Sequence, residues 1–196
     1  MDINSLIAQR VRERRDARGW SLDVLAERSK VSRSAISLIE RGQSSPTATV
    51  LDKLASALGV AVVSLFEPYA QPAAAPLPVS RAAEQPAWSD PASGYVRRNL
   101  SPAWPSPLQL VEVRFPPGQH VAFDTDVRDT GIHQQVWMIE GTMEVTVGEQ
   151  CWRLETGDCL AMRLDRPIAY HNPARKPARY LVALSGLDFN QARSKP

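Results

Sequence analysis

The stretch that decides the fold is SLDVLAERSKVSRSAISLIERG, residues 21–42. It divides into two short helical patterns with a turn between them. Ser21 supplies an N-cap oxygen ahead of Leu22, Leu25 and Ala26, which share one helix face, and this pattern stops near Ser29. Lys30 and Val31 form the turn. Ser32 caps the second pattern, which runs to about Arg41 with Ala35, Ile36 and Ile39 facing inward. Gly42 closes it, where a left-handed backbone is cheapest for a residue without a Cβ.

Upstream, residues 3–18 set Ile3, Leu6, Ile7 and Val11 at intervals of three and four, the period of an amphipathic helix that Gly19 ends. Downstream, Pro46 and Thr47 open a fourth helix carrying Val50, Leu51, Leu54, Ala55 and Leu58, and Gly59 stops it. Val62, Val63, Leu65 and Phe66 make a last helical turn. Residues 1–66 therefore read as a compact domain of five short helices. Ten Lys/Arg face seven Asp/Glu within it, and Arg10, Arg12, Arg14, Arg15 and Arg18 crowd the first helix. A basic helix is most often a solvated face, so charge alone does not establish a nucleic-acid partner.

The skeleton does. LxxLAxxSxVSxxxISxIERG, formed by Leu22, Leu25, Ala26, Ser29, Val31, Ser32, Ile36, Ser37, Ile39, Glu40, Arg41 and Gly42, resembles the helix-turn-helix of the phage-repressor-like Xre regulators. SSPTATVLDKLASALGV is similar to that family's next helix, and Lys30 stands where the family usually has glycine. The resemblance implies double-stranded DNA as partner. A helix fits the major groove, where each base pair shows its own donor and acceptor pattern. Arg33, Ser34 and Ser37 would approach base edges, with Arg33 able to grip guanine in bidentate fashion. Ser21, Ser32, Arg41, Gln43 and Ser44 lie where the family touches phosphates. Each also has a structural reading: Ser21 and Ser32 are N-caps, and Arg41 adjoins Glu40. One motif reads few base pairs, so a homodimer on half-sites about 34 Å or a multiple apart is expected.

From residue 67 to about 92 the texture changes to a Pro/Ala-rich stretch without a period, which reads as a semi-rigid linker. Trp88 is out of place there unless it docks on a domain. Residues 93–196 show short alternating runs, among them YVRRNL, LQLVEVRF, VWMIEG, TMEVTVG and YLVALSGL, separated by turn residues. The FPPG of residues 115–118, the hairpin series of 136–162 and RPIAYHNP of 166–173 resemble a cupin, a small β-barrel. Gly141, Gly148, Gly157 and Asp158 take the turn positions its hairpins need. The fold class is thus multidomain, α and β: a five-helix head, a linker and a cupin-type β-barrel.

Metal-binding cupins hold their cation with histidines and a glutamate. Here Gln134 stands at the glutamate position, Ile168 at the second-motif histidine, and residues 126–130 contain no histidine. His133 and His171 are adjacent to those positions, but strand neighbours point to opposite faces. The resemblance therefore implies no bound transition metal, no cofactor and no catalytic set. The vacated site suits a small organic effector, with Gln134, Met138 and Tyr170 as candidate contacts and Arg163 as a carboxylate anchor only if it faces inward. Two alternatives stay open: a cupin enzyme localised on DNA by the head, and a barrel that only dimerises.

The remaining composition bounds the class. A net charge of +2 and a hydrophobic share of 43% are those of an ordinary globular protein. No apolar run reaches the roughly 18 residues of a membrane span, and no basic-then-apolar leader opens the chain, so the expected location is cytoplasmic. Cys151 and Cys159, the only cysteines, are expected as buried reduced thiols of one hairpin.

Overall fold

The computed structural model describes residues 3–60, 62–66, 77–104, 106–123 and 131–185. These form two compact units, one within residues 1–68 and 90–92, the other within 69–89 and 93–196.

The first unit contains α1 (Ile3–Asp16), α2 (Leu22–Ser29), α3 (Arg33–Glu40) and α4 (Ala48–Ala57). The expected fifth helix is a 3-10 turn, Val62–Phe66. Five residues with a β-branched start cannot repay α-helix nucleation, and the tighter turn suffices to bury Val63, Leu65 and Phe66. Ile7, Val11, Leu25, Ile36, Ile39, Leu51, Leu54 and Leu58 complete the core. The caps form at the expected residues. Ser21 Oγ accepts from Val24 N and Ser32 Oγ from Ala35 N, each at 3.2 Å, while Thr47 Oγ1 accepts from Val50 N at 3.3 Å. The buried Asp90 carboxylate accepts from Ala48 N at 2.9 Å, satisfying another amide at the start of α4.

Lys30 adopts φ 57° at the turn between α2 and α3, alone among the described non-glycine residues in having positive φ. Lys30→Gly relieves a backbone that L-residues adopt at a cost, and should stabilise the head by about 1 kcal/mol. A denaturant melt of the two chains measures this. A Lys30→Gly chain no more stable than the parent would mean that Gly's extra freedom when unfolded offsets the relief.

The second unit holds β1 (Ala87–Ser89), β2 (Val96–Asn99), β3 (Leu108–Phe115), β4 (His120–Phe123), β5 (His133–Glu140), β6 (Met143–Val147), β7 (Gln150–Leu154), β8 (Cys159–Arg163), β9 (Ile168–His171) and β10 (Ala178–Ser185). Their ladders make a six-stranded sheet, β1-β2-β3-β10-β5-β8, and a four-stranded sheet, β4-β9-β6-β7. Among the described residues the ladders stay in two sheets and do not join into one closed barrel. Side chains bind the sheets face to face instead. Gln134 Nε2 of β5 donates to Tyr170 Oη of β9 at 2.6 Å, and the Tyr170 and Tyr180 rings stack 6.2 Å apart.

Part of the stretch read as linker is structured. Ala87–Ser89 pairs with Val96–Asn99, because Trp88 is buried edge-on against Tyr95, ring centroids 5.5 Å apart, and an indole gains more from burial than from water. Residues 67–76 lie outside the described residues. The cysteines also depart from expectation: both are exposed, and they sit in different sheets. Cys151 is opposite Thr146 and Cys159 opposite Trp137, on the outward-facing rows of β7 and β8, where alternation leaves their thiols in solvent.

Candidate functional site

In the head, α3 presents its N-terminal end to solvent. Ser32, Arg33 and Ser34 are exposed and Ser37 is half-buried, while Ile36 and Ile39 hold the other face in the core. Ser32 Oγ and Ser34 Oγ are 3.2 Å apart. Arg33 Nε lies 3.1 Å from Asp23 Oδ1, in a pair whose side chains are 62% and 73% exposed. Such a pair is worth little, so Arg33 can exchange Asp23 for another acceptor at small cost. Arg41 does not pair with Glu40; its Nε donates to Ser37 O at 3.2 Å. Ser21, Arg41, Gln43 and Ser44 are all exposed.

Glu40 is occupied elsewhere, by contacts that no local pattern announces. Arg15 Nε and Nη2 grip its carboxylate at 2.7 Å each, and Arg12 Nη2 donates to its carbonyl at 2.8 Å. Glu40's hydrogen bond holds the Arg15 pKa above its ordinary value, against burial, which lowers it. Arg18 donates to Leu58 O and Arg14 O and lies over the Trp20 ring. Arg12, Arg15 and Arg18 thus tie the first helix and the turn after it to α3 and the end of α4, while Arg10 bonds Glu13 of its own helix.

In the second unit the structure brings together all three sequence candidates for a ligand site. Gln134 and Tyr170 are joined by the hydrogen bond described above, and Met138, fully buried, lies on the same inward row beside Tyr180. Burial pushes the Tyr170 hydroxyl up to about 12, against smaller lowering by Gln134 and Arg97, so it is neutral and keeps its proton. Arg163 is exposed, 3.5 Å from Asp165, and does not enter. His171 stands on the opposite face of β9 from Tyr170, its Nδ1 2.9 Å from Glu144 Oε2, and His133 is exposed beside the buried Gln134. Among the described residues no group of three His, Cys, Asp or Glu is placed to hold a metal ion. Residues 126–130 lie outside them.

An exposed α3, N-capped and backed by a four-helix core, gives the fold of a helix-turn-helix head. The Helix-turn-helix family (HTH_3) matches residues 11–65. The chain is 33% identical over 111 residues to the HTH-type transcriptional regulator DdrOP3 of Deinococcus deserti, covering 55% of this chain and 81% of that one. It is 25% identical over 179 residues to the HTH-type transcriptional regulator SutR of Escherichia coli, 91% of this chain and 94% of that protein. The crystal structure of an HTH_3 family transcriptional regulator from Vibrio cholerae shares the fold, with a TM-score of 0.68 at 24% identity over 93% of this chain and 96% of that one. The chain belongs to the HTH-type transcriptional regulators, with an Xre-type head and a cupin-like β domain. Among the described residues no helix is long and apolar enough to cross a membrane.

Proposed function

We propose that this regulator reads its operator through α3 as a homodimer, and that the cupin-like unit dimerises the chain and senses a small metabolite. The exposed N-terminal end of α3 supports this reading most directly. Arg33 is the one side chain there that combines charge, a bidentate fork and a weak existing partner. Ser34 and Ser37 would contact neighbouring base edges, while Ser21, Ser32, Arg41, Gln43 and Ser44 bind phosphates on either side. Two heads on a two-fold axis would match half-sites separated by whole turns of DNA.

The sensing half of the proposal rests on the Gln134–Tyr170 pair with Met138. Neutral amide, phenol and thioether groups suit an organic molecule better than a metal ion. An effector that fits one dimer geometry better than another would shift the DNA-competent population by its difference in affinity. A cupin enzyme tethered by its head would need a catalytic set, and the interior groups described above are neutral at physiological pH apart from Arg97, a poor proton carrier.

The test of the DNA reading is selection of binding sites from random duplexes by wild type and Arg33→Ala. Loss of one bidentate base contact should cost about 1–3 kcal/mol and flatten preference at a single base pair of each half-site. Both proteins should still weaken steeply with salt. An Arg33→Ala chain that selects the same sequences equally well would remove α3 as the reader.

A further inference from the structure

Arg97 lies in β2 opposite Trp88 of β1 and Val113 of β3, and the row continues through Tyr180 of β10 to Met138 of β5. Opposed residues of antiparallel strands share a face. Trp88, Val113, Tyr180 and Met138 are all buried, so the Arg97 side chain leaves its strand on the face turned toward Tyr170. Its charge is felt there. Burial lowers the Arg97 pKa, and Tyr95, Tyr180 and Tyr170 each act on it. Its Nε and Nη2 are shut off from solvent. A guanidinium so placed stays protonated, and in the low dielectric between two sheets it attracts an anion more strongly than a surface arginine does.

Two acceptors on the same inner face complete the pattern. Asn99 is two residues beyond Arg97, about 7 Å along the strand. Gln109 stands opposite Leu184, which is opposite Gln134. Asn99 Oδ1 and Gln109 Oε1 are buried and have no hydrogen-bond partner among the described residues. Buried acceptors of this kind call for a donor. Tyr170, still protonated, adds a hydroxyl donor on the opposite sheet.

We propose that the inner face of the six-stranded sheet binds a small carboxylate that also carries a hydrogen-bond donor, with Arg97 and Tyr170 holding the carboxylate and Asn99 or Gln109 accepting from the donor. This rests on the metabolite-sensing reading and narrows it to a chemical class. Neither Arg97 nor Asn99 belongs to the motifs that mark the cupin resemblance.

The experiment is a thermal-shift and calorimetric comparison on the full chain with 3-hydroxybutyrate, lactate, butyrate and lactamide at millimolar concentration. The hydroxycarboxylates should raise the melting temperature, butyrate less, and lactamide not at all. Arg97→Met should weaken 3-hydroxybutyrate binding about tenfold or more, since a charge-assisted hydrogen bond is lost. Met keeps most of the length and the apolar stem of the arginine side chain, so the variant should fold. Should it fail to fold, Asn99→Leu and Gln109→Leu, made singly, give the second reading: the advantage of 3-hydroxybutyrate over butyrate should vanish in one of them, and its survival in both overturns the proposal. No response to either hydroxycarboxylate, or equal response in Arg97→Met, overturns the proposal. Native mass spectrometry separates this from failure of sensing altogether. A neutral organic mass retained by wild type and Arg97→Met alike overturns the carboxylate assignment while leaving a sensor, whereas an empty protein unresponsive to every probe removes both.

Discussion

Glu40→Ala should destabilise the head by about 3–5 kcal/mol, the usual cost of removing one member of a buried ion pair. The Glu40 and Arg15 side chains are only 5% and 13% exposed, so the abandoned guanidinium cannot rehydrate in place. Arg15 would keep Trp20 O at 2.9 Å and Asp16 at 2.6 Å, which softens the loss without removing it. Hydrogen exchange of the α1 and α3 amides in the full chain measures the effect at the right place, because a two-unit protein need not melt in one step. Glu40→Gln, which keeps hydrogen-bonding capacity, should fall between the two. A loss below about 1 kcal/mol would show that the pair behaves as a solvated surface bridge.

Trp88→Ala should cost the second unit a similar amount, about 3–5 kcal/mol, as expected for a large aromatic that leaves a cavity. Trp88 is 1% exposed and holds a strand of only three residues, Ala87–Ser89, to the sheet edge. With the indole gone, three residues of ladder have little to oppose their own conformational entropy, so β1 should detach from β2. Exchange of the β2 amides that face β1 that quickens more than exchange in β10 and β5 is the expected signature. Uniform protection across the sheet would mean that the ladder, not the indole, holds the strand. Trp88→Phe keeps most of the buried area and should retain the pairing.

How far the sequence could be read depended on the range of the interactions. The head was legible because its determinants are local: Ser21 and Ser32 cap helices that begin one residue later, and the apolar spacing of Leu25, Ile36 and Ile39 sets the buried faces. Arg15 and Glu40 are 25 positions apart, and no pattern within either helix announces their meeting. In the second unit, alternation placed Gln134 and Tyr170 on inner faces, and the register then brought them into contact. It could not settle Arg97 against Arg98. The two are adjacent arginines of YVRRNL, and only pairing with β3 shows that Arg97 turns inward while Arg98 joins Glu112 on the outer face. The three-residue β1 was hidden for a different reason. Its flanks are rich in Pro and Ala, and a single tryptophan carries the signal.

The contact between Asp90 and Ala48 bears on how such a protein can be cut and recombined. The head is not one uninterrupted span: residues 90–92 belong to it although they follow β1 in the chain. A fragment ending at residue 68 would leave the first amide of α4 without its carboxylate, and a graft of this head onto another β domain would carry the same deficit. Modular exchange at the Pro/Ala-rich stretch therefore needs a substitute acceptor, and recombinants that lack one should yield weaker heads than the parent.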